Sequence, residues 1–185
     1  MNEKELYNAR LLGGIGSLLM ISPLIFHFTI LLTTIGIILL FISLWKFAEI
    51  FQDKEIFNKF LIGFLIGFVG VITGIFLGGL GALTGVLYHF SYSVTPHIPA
   101  LSLSLGLGLF IFYVANVIKC YFYKKAFEAL ERHTKHRLFY YAGLTMFISS
   151  FFVLFLGIGL LGLAVGWILL AVAFFTLDIS QEQKQ

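Results

Sequence analysis

Charge is scarce in this chain and missing from most of its length. Only 11% of the 185 residues are Asp, Glu, Lys or Arg, against about a quarter in soluble proteins. None falls in the stretches 11–45, 60–90, 99–118 or 138–177. Ionisable groups at membrane depth are costly and usually kept for a role, so their absence argues against proton relays and carboxylate-coordinated ion sites. Cysteine is almost as rare: the single Cys120 excludes an intramolecular disulfide and any paired-cysteine motif. It stands in Lys119-Cys120-Tyr121, where an unmodified interfacial thiol is expected and reversible acylation is the alternative. There is no G-x-S-x-G, no glycine-rich phosphate loop with its Lys and no H-E-x-x-H. No polar segment reaches the roughly fifty residues that a second, soluble domain needs.

What is present is apolar. Hydrophobic residues make up 59% and mean hydropathy is +1.00, so lipid is the expected solvent. At 1.5 Å per residue a crossing takes about twenty residues, and the four stretches hold two, one, one and two spans. The expected fold is therefore all-α and polytopic, a single transmembrane domain over 1–185. Its six spans lie near 6–25, 28–46, 60–90, 99–122, 138–156 and 159–177, arranged as three hairpins. Every Lys and Arg falls at the N-terminus, in 46–59, in 119–137 or in the tail. The positive-inside rule then puts both termini and both links in the cytoplasm of a cell-membrane protein. The first span is expected to be retained rather than cleaved, because Glu3 and Glu5 occupy what would be a basic leader region and no small-x-small site follows.

Within that frame Pro23 and His27 mark the first outer bend. Asp53 is the expected N-cap of the third span, with Glu55 in its first turn. The third span carries a glycine ladder, Gly63, Gly67, Gly70, Gly74, Gly78, Gly81 and Gly85. Its steps of three and four put all seven on one helical face, over about 33 Å of rise. A bare face admits a second backbone closely, and Ser102/Gly106 and Ser104/Gly108 on the fourth span supply the partner. A kink is expected around Gly78–Gly81. The stretch 60–90, about 46 Å as one helix, exceeds one crossing; tilt is the ordinary response, and a re-entrant piece is the alternative. The fourth helix is expected to continue beyond the membrane through 121–132, supported by Lys124–Glu128 and Glu128–Arg132 at i,i+4. Tyr121, Phe122 and Tyr123, then Phe139, Tyr140 and Tyr141, are expected to form aromatic girdles. At an offset of 130 the last hairpin weakly repeats the first, with Gly13 on Gly143 and Gly36 on Gly166.

Candidate polar sites are few. Asn116 is expected to make an interhelical hydrogen bond. His27, His89 and His97 on the outer side could hold zinc or a haem iron. They lack helical spacing and a carboxylate to orient them, so scattered interfacial histidines are expected and no cofactor or metal is assigned. His133 and His136 have metal spacing but stand among Arg132, Lys135 and Arg137, which would repel a cation. The sequence pI near 9.0 comes from the links and not from a nucleic-acid face. The link 119–137 is the expected partner of anionic lipid headgroups, through Lys124, Lys125, Arg132 and Lys135.

Ala9-Arg10-Leu11-Leu12-Gly13-Gly14-Ile15-Gly16, Ile56-Phe57-Asn58, Tyr123-Lys124-Lys125-Ala126-Phe127 and Gly166-Trp167-Ile168-Leu169-Leu170 through Phe175 resemble a family of small prokaryotic membrane proteins catalogued as a domain of unknown function. That resemblance implies a multi-pass membrane protein and carries no activity or site with it. Two functions follow as expectations. One is a non-enzymatic helix-packing subunit that assembles with itself or another membrane protein; the other is a small-solute transporter or channel.

Overall fold

The computed structural model describes residues 3–22, 29–91, 98–154 and 158–177, with side-chain surroundings left out for residues 3, 29–30, 81–91 and 98–102. These residues form six helices: α1 (Glu3–Leu19), α2 (Thr29–Ile50), α3 (Lys54–Ser91), α4 (Ile98–Thr134), α5 (Leu138–Phe151) and α6 (Ile158–Thr176). Among the described residues there is no strand, and the Leu-Ser-Leu alternation at 101–105 is helical, as it must be where a lone strand would leave its backbone unpaired in lipid. α2, α3, α4 and α6 are long and apolar enough to cross a membrane. α1 and α5, of 17 and 14 residues, are shorter, about 26 and 21 Å. α3 stays helical through Gly78, Gly79 and Gly81, one continuous helix and not a helix followed by a separate piece. α4 runs on past Tyr121 to Thr134.

The chain divides into two compact units, Met1–Gly63 with Cys120–Gln185, and Phe64–Lys119. In the first, α1 packs on α2, α5 on α6, and α1 on α6. Small residues set each contact. A Cβ at Gly16 would stand 2.9 Å from Gly36 O, and one at Gly36 would stand 2.9 Å from Leu19 Cβ. Ser43 Oγ donates to Ala9 O across the same pair at 2.7 Å. On the other hairpin Gly166 lies against Met146 and Ala142 O, and Gly162 against Ser149. The crossing of residues 16 and 36 thus recurs at 146 and 166, the offset of 130 that relates the two hairpins in sequence. Between α1 and α6, Gly13 and Gly14 receive the rings of Phe174 and Phe175.

The core of this unit sits where the charged links are. Phe47, Phe60, Phe127, Phe139 and Phe174 are fully buried. Phe174 stacks on Phe47 at 5.7 Å and meets Phe139 edge-on at 5.0 Å. Phe60 stacks on Tyr123 at 4.4 Å. This corrects the girdle expectation in part: Tyr121 and Tyr141 are exposed, but Tyr123 and Phe139 belong to the core. Neighbours in a helix point about 100° apart, so a run of three aromatics cannot all face the interface.

In the second unit the ladder glycines of α3 face α4. A Cβ at Gly67 would meet the Lys119 side chain at 2.6 Å, one at Gly70 would collide with Ala115 Cβ, and one at Gly74 would lie 3.2 Å from Gly108 O. Gly108 in turn faces Gly74 O and Gly78 N, at 2.9 and 3.2 Å. Of the two small pairs expected on α4, Gly108 supplies the contact; nothing lies within 4 Å of a Cβ at Gly106. The surroundings of Gly81 and Gly85 lie outside the described residues, and Gly63, buried, ends the first segment of the other unit.

Candidate functional site at the charged end

The two links of the first unit are built alike. α2 stops through Gln52 N–H to Glu49 O at 3.3 Å and Asp53 N–H to Ala48 O at 3.0 Å, with Gln52 in the left-handed region at φ 53°. α4 stops through Lys135 N–H to Glu131 O at 2.8 Å, with Lys135 at φ 54°. Glycine is the usual residue at such a helix end, because a side chain costs about 1–2 kcal/mol there. Gln52→Gly and Lys135→Gly are therefore each expected to raise stability by up to about 1 kcal/mol, read as a higher melting temperature in detergent; a fall would show that the side chains themselves hold the links.

Asp53 joins the links. Its Oδ1 accepts Glu55 N–H at 2.8 Å, which makes it the N-cap of α3, and its Oδ2 meets His133 Nε2 at 2.8 Å. Arg132 pairs with Glu55 and approaches Asp53 at 4.0 Å. Phe51 lies flat on the His133 ring at 5.0 Å. Partial burial pushes the Asp53 carboxyl up, but hydrogen bonds from His133 and Glu55 N–H, with the positive charge nearby, outweigh it and hold the group below its ordinary value. Further round the same end, Thr176 Oγ1 donates to Val172 O at 2.7 Å and so accepts from His136 Nε2 at 3.2 Å. Arg10 donates to Leu177 O at 2.7 Å, a cation on the C-terminal carbonyls of α6.

His133 and His136 thus turn to different partners, since α4 ends between them. Among the described residues no three metal-ligating side chains converge. His27 and His97 lie outside the described residues, as does the side chain of His89. Asn116 is buried, and among the described residues its amide nitrogen finds no partner. The basic residues of 119–137 are partly spent within the chain: Lys124 and Lys125 both reach Glu128, at 3.1 and 2.8 Å, and Arg132 is held as above. Lys135 is exposed and, among the described residues, has no ion-pair partner. Within the Tyr123–Phe127 block, Tyr123, Ala126 and Phe127 are buried and supply core side chains, while Lys124 and Lys125 stay half-exposed.

A groove that the sequence reading missed runs beside this junction, between the last turns of α2 and the first turn of α3. One depression of about 540 Å³ is lined by Trp45, Glu49, Gln52, Lys54, Phe57 and Asn58. A second of about 360 Å³ shares Trp45, Glu49 and Phe57 with it and continues to Phe41, Ile42 and Lys46. The signal was present as Trp45-Lys46, an aromatic and a cation at the edge of an apolar run, but only the turn at Gln52 brings Lys54, Phe57 and Asn58 opposite.

The profile of a family described as Protein of unknown function (DUF996) matches residues 32–173, from α2 through most of α6. An uncharacterized protein of Methanocaldococcus jannaschii is 32% identical over 184 residues, covering 98% of this chain and 99% of its own. No solved structure matches the chain. The resemblance drawn from the sequence blocks holds, and the chain belongs to the DUF996 family of proteins of unknown function.

Proposed function

We propose that the protein is a cell-membrane protein of six crossings with both termini in the cytoplasm, and that it works as a non-enzymatic packing subunit that assembles with itself or another membrane protein. The observation that carries the membrane part is the sorting of its surface. Large apolar side chains stand exposed along the long helices, Ile75 at 69% and Leu103 at 74% among them, far beyond what a soluble monomer leaves in contiguous patches. The paired charges collect at the two links. α1 and α5 reach across by tilt of their neighbours or local thinning of the bilayer. The assembly part rests on helix contacts set throughout by glycine, alanine and serine, which drive association where lipid removes the hydrophobic effect.

Topology is tested by single reporter cysteines, with buried Cys120 replaced by alanine. Positions 52 and 135 are expected to label from the cytoplasmic side and 92–97 from outside; labelling of all from one side removes the six-crossing reading. Assembly is tested by mass measurement in detergent and in lipid nanodiscs, and a protein that stays monomeric and co-purifies with nothing removes the subunit reading.

The same reading puts anionic lipid headgroups against 119–137, with Lys135 as the freest contact. Neutralising Lys124, Lys125, Arg132 and Lys135 is expected to lower the amount of anionic lipid retained in native mass spectra, and salt to weaken retention in the parent, since surface attraction decays over about 8–10 Å. Equal retention by both proteins leaves these charges with topology alone.

The recurring hairpin crossing supports a second reading, a small-solute transporter or channel, because parallel repeats occur in transporters. Flux of neutral solutes into proteoliposomes separates the two, and no flux with protein of normal melting temperature excludes the second.

A further inference from the structure

We infer that the groove between α2 and α3 binds a phospholipid whose headgroup carries a primary amine, with Glu49 receiving the ammonium, Lys54 and Lys46 the phosphate, and Phe41, Ile42 and Trp45 the start of an acyl chain. The inference rests on the proposed crossing of α2 and goes beyond it to a defined ligand class.

Three features of the groove select this occupant. The first is where it lies. Trp45 closes the charge-free stretch 11–45 and Lys46 is the first charge after it, so the groove straddles the border between hydrocarbon and headgroups, where an exposed indole is most at home. Trp45 is 53% exposed and meets Phe57 edge-on at 5.2 Å, forming one wall. The second is its gradient. Lys54, Gln52 and Asn58 line one end and Phe41 and Ile42 the other, the same order as headgroup and chain. Its volume of about 540 Å³ falls in the ordinary range for small-ligand sites, about 300–1,000 Å³.

The third is charge. Among the described residues Lys46, Glu49 and Lys54 have no ion-pair partner, in contrast to the paired Lys124, Lys125, Arg132 and Glu128 of the neighbouring link. Glu49, Lys46 and Lys54 line the groove, and Glu5 joins Lys46 and Glu49 around a smaller depression at the rim, so charges of both signs stand along it. A wall with separated charges of both signs offers a partner to each end of a zwitterion, whereas an anion leaves Glu49 unanswered. An amine with hydrogens can donate to Glu49 and to the amide oxygens of Gln52 and Asn58, which a trimethylated amine cannot do. The left-handed Gln52 fits the same picture. Glycine would be less strained there, and a glutamine adds a side chain to the groove's lining.

The test is native mass spectrometry of the full chain released from detergent, offered equal amounts of phosphatidylethanolamine, phosphatidylcholine and phosphatidylglycerol. The parent is expected to retain the ethanolamine lipid at least about threefold over the choline lipid. Glu49→Gln should abolish that preference, Lys54→Gln should lower retention of all three, and Gln52→Gly should lower retention of the ethanolamine lipid while leaving the melting temperature equal or higher. The last variant keeps loss of binding distinct from loss of fold. No preference in the parent, an unchanged preference in Glu49→Gln, or unchanged retention in Lys54→Gln overturns the assignment. Binding of soluble glycerophosphoethanolamine as tight as that of the lipid would give the acyl chain no part, which overturns the lipid as source and leaves the headgroup as a free ligand. Failure of the membrane reading shows separately, as protein recovered from the soluble fraction of lysed cells.

Discussion

Gly70→Leu is expected to abolish recovery of folded protein or to lower its melting temperature by ten degrees or more, and Gly74→Leu to do so less severely. At Gly70 even a Cβ collides with Ala115, whereas at Gly74 the nearest atoms, Gly108 O and Phe112 Cβ, lie 3.2 and 3.3 Å away. Glycine inside a helix costs up to about 1 kcal/mol relative to alanine, so substitution starts with a small gain. Overpacking costs about 1–3 kcal/mol for added methylenes, and a leucine adds four carbons where α4 already touches, so the collision wins. Gly79→Ala and Gly106→Ala are the controls: nothing lies within 4 Å of a Cβ at either, and each should be neutral or mildly stabilising. Gly70→Ala with Ala115→Gly moves the methyl from one helix to the other and should recover most of what Gly70→Ala alone loses, the coupling expected of residues in contact. Thermal unfolding in one detergent measures all of these. A Gly70→Leu protein with parental melting temperature would show that α3 and α4 do not pack on this face.

The helices and the facing of α3 on α4 were legible because each depends on a local pattern. Long charge-free runs mark the helices, and a three-four glycine spacing marks one face whatever packs on it. The Asp53 cap was legible for the same reason, since a cap is decided within three residues. The bond from Asp53 to His133 was not: the two are 80 residues apart, and neither belongs to a periodic pattern. The aromatic core was misread because Tyr123 and Phe139 sit in runs where every side chain is aromatic, and only the rotation of the helix decides which one turns inward. The groove needed the backbone as well. It exists because Gln52, in a conformation a sequence does not announce, turns the chain tightly enough to put Phe57 against Trp45.

Removing the charge of Asp53 should flatten the acid limb of the stability profile. The carboxyl of Asp53 is held below its ordinary value in the folded protein, so the folded state binds its proton less readily than the unfolded chain, whose Asp titrates near pH 3.9. Its contribution is therefore complete above that unfolded value and disappears as pH falls through the lower, folded one. The parent should lose stability more steeply than Asp53→Asn on going from about pH 5 to pH 3, with the curves parallel above pH 6. Asparagine caps a helix about as well as aspartate, so this variant keeps the α3 cap and tests the charge alone. Asp53→Ala removes the cap as well and should be weaker than Asp53→Asn at every pH by about 1 kcal/mol. The ion-pair share stays modest because Arg132 is 58% exposed and His133 33%, and partners that open to water contribute at most about 1 kcal/mol each. Melting temperatures of the three proteins across pH 3–7 give both quantities. Identical acid limbs for parent and Asp53→Asn would mean that His133 and Arg132 hold the link without help from the carboxylate's charge, and that the contact between the two links is a matter of the Phe51 and His133 rings.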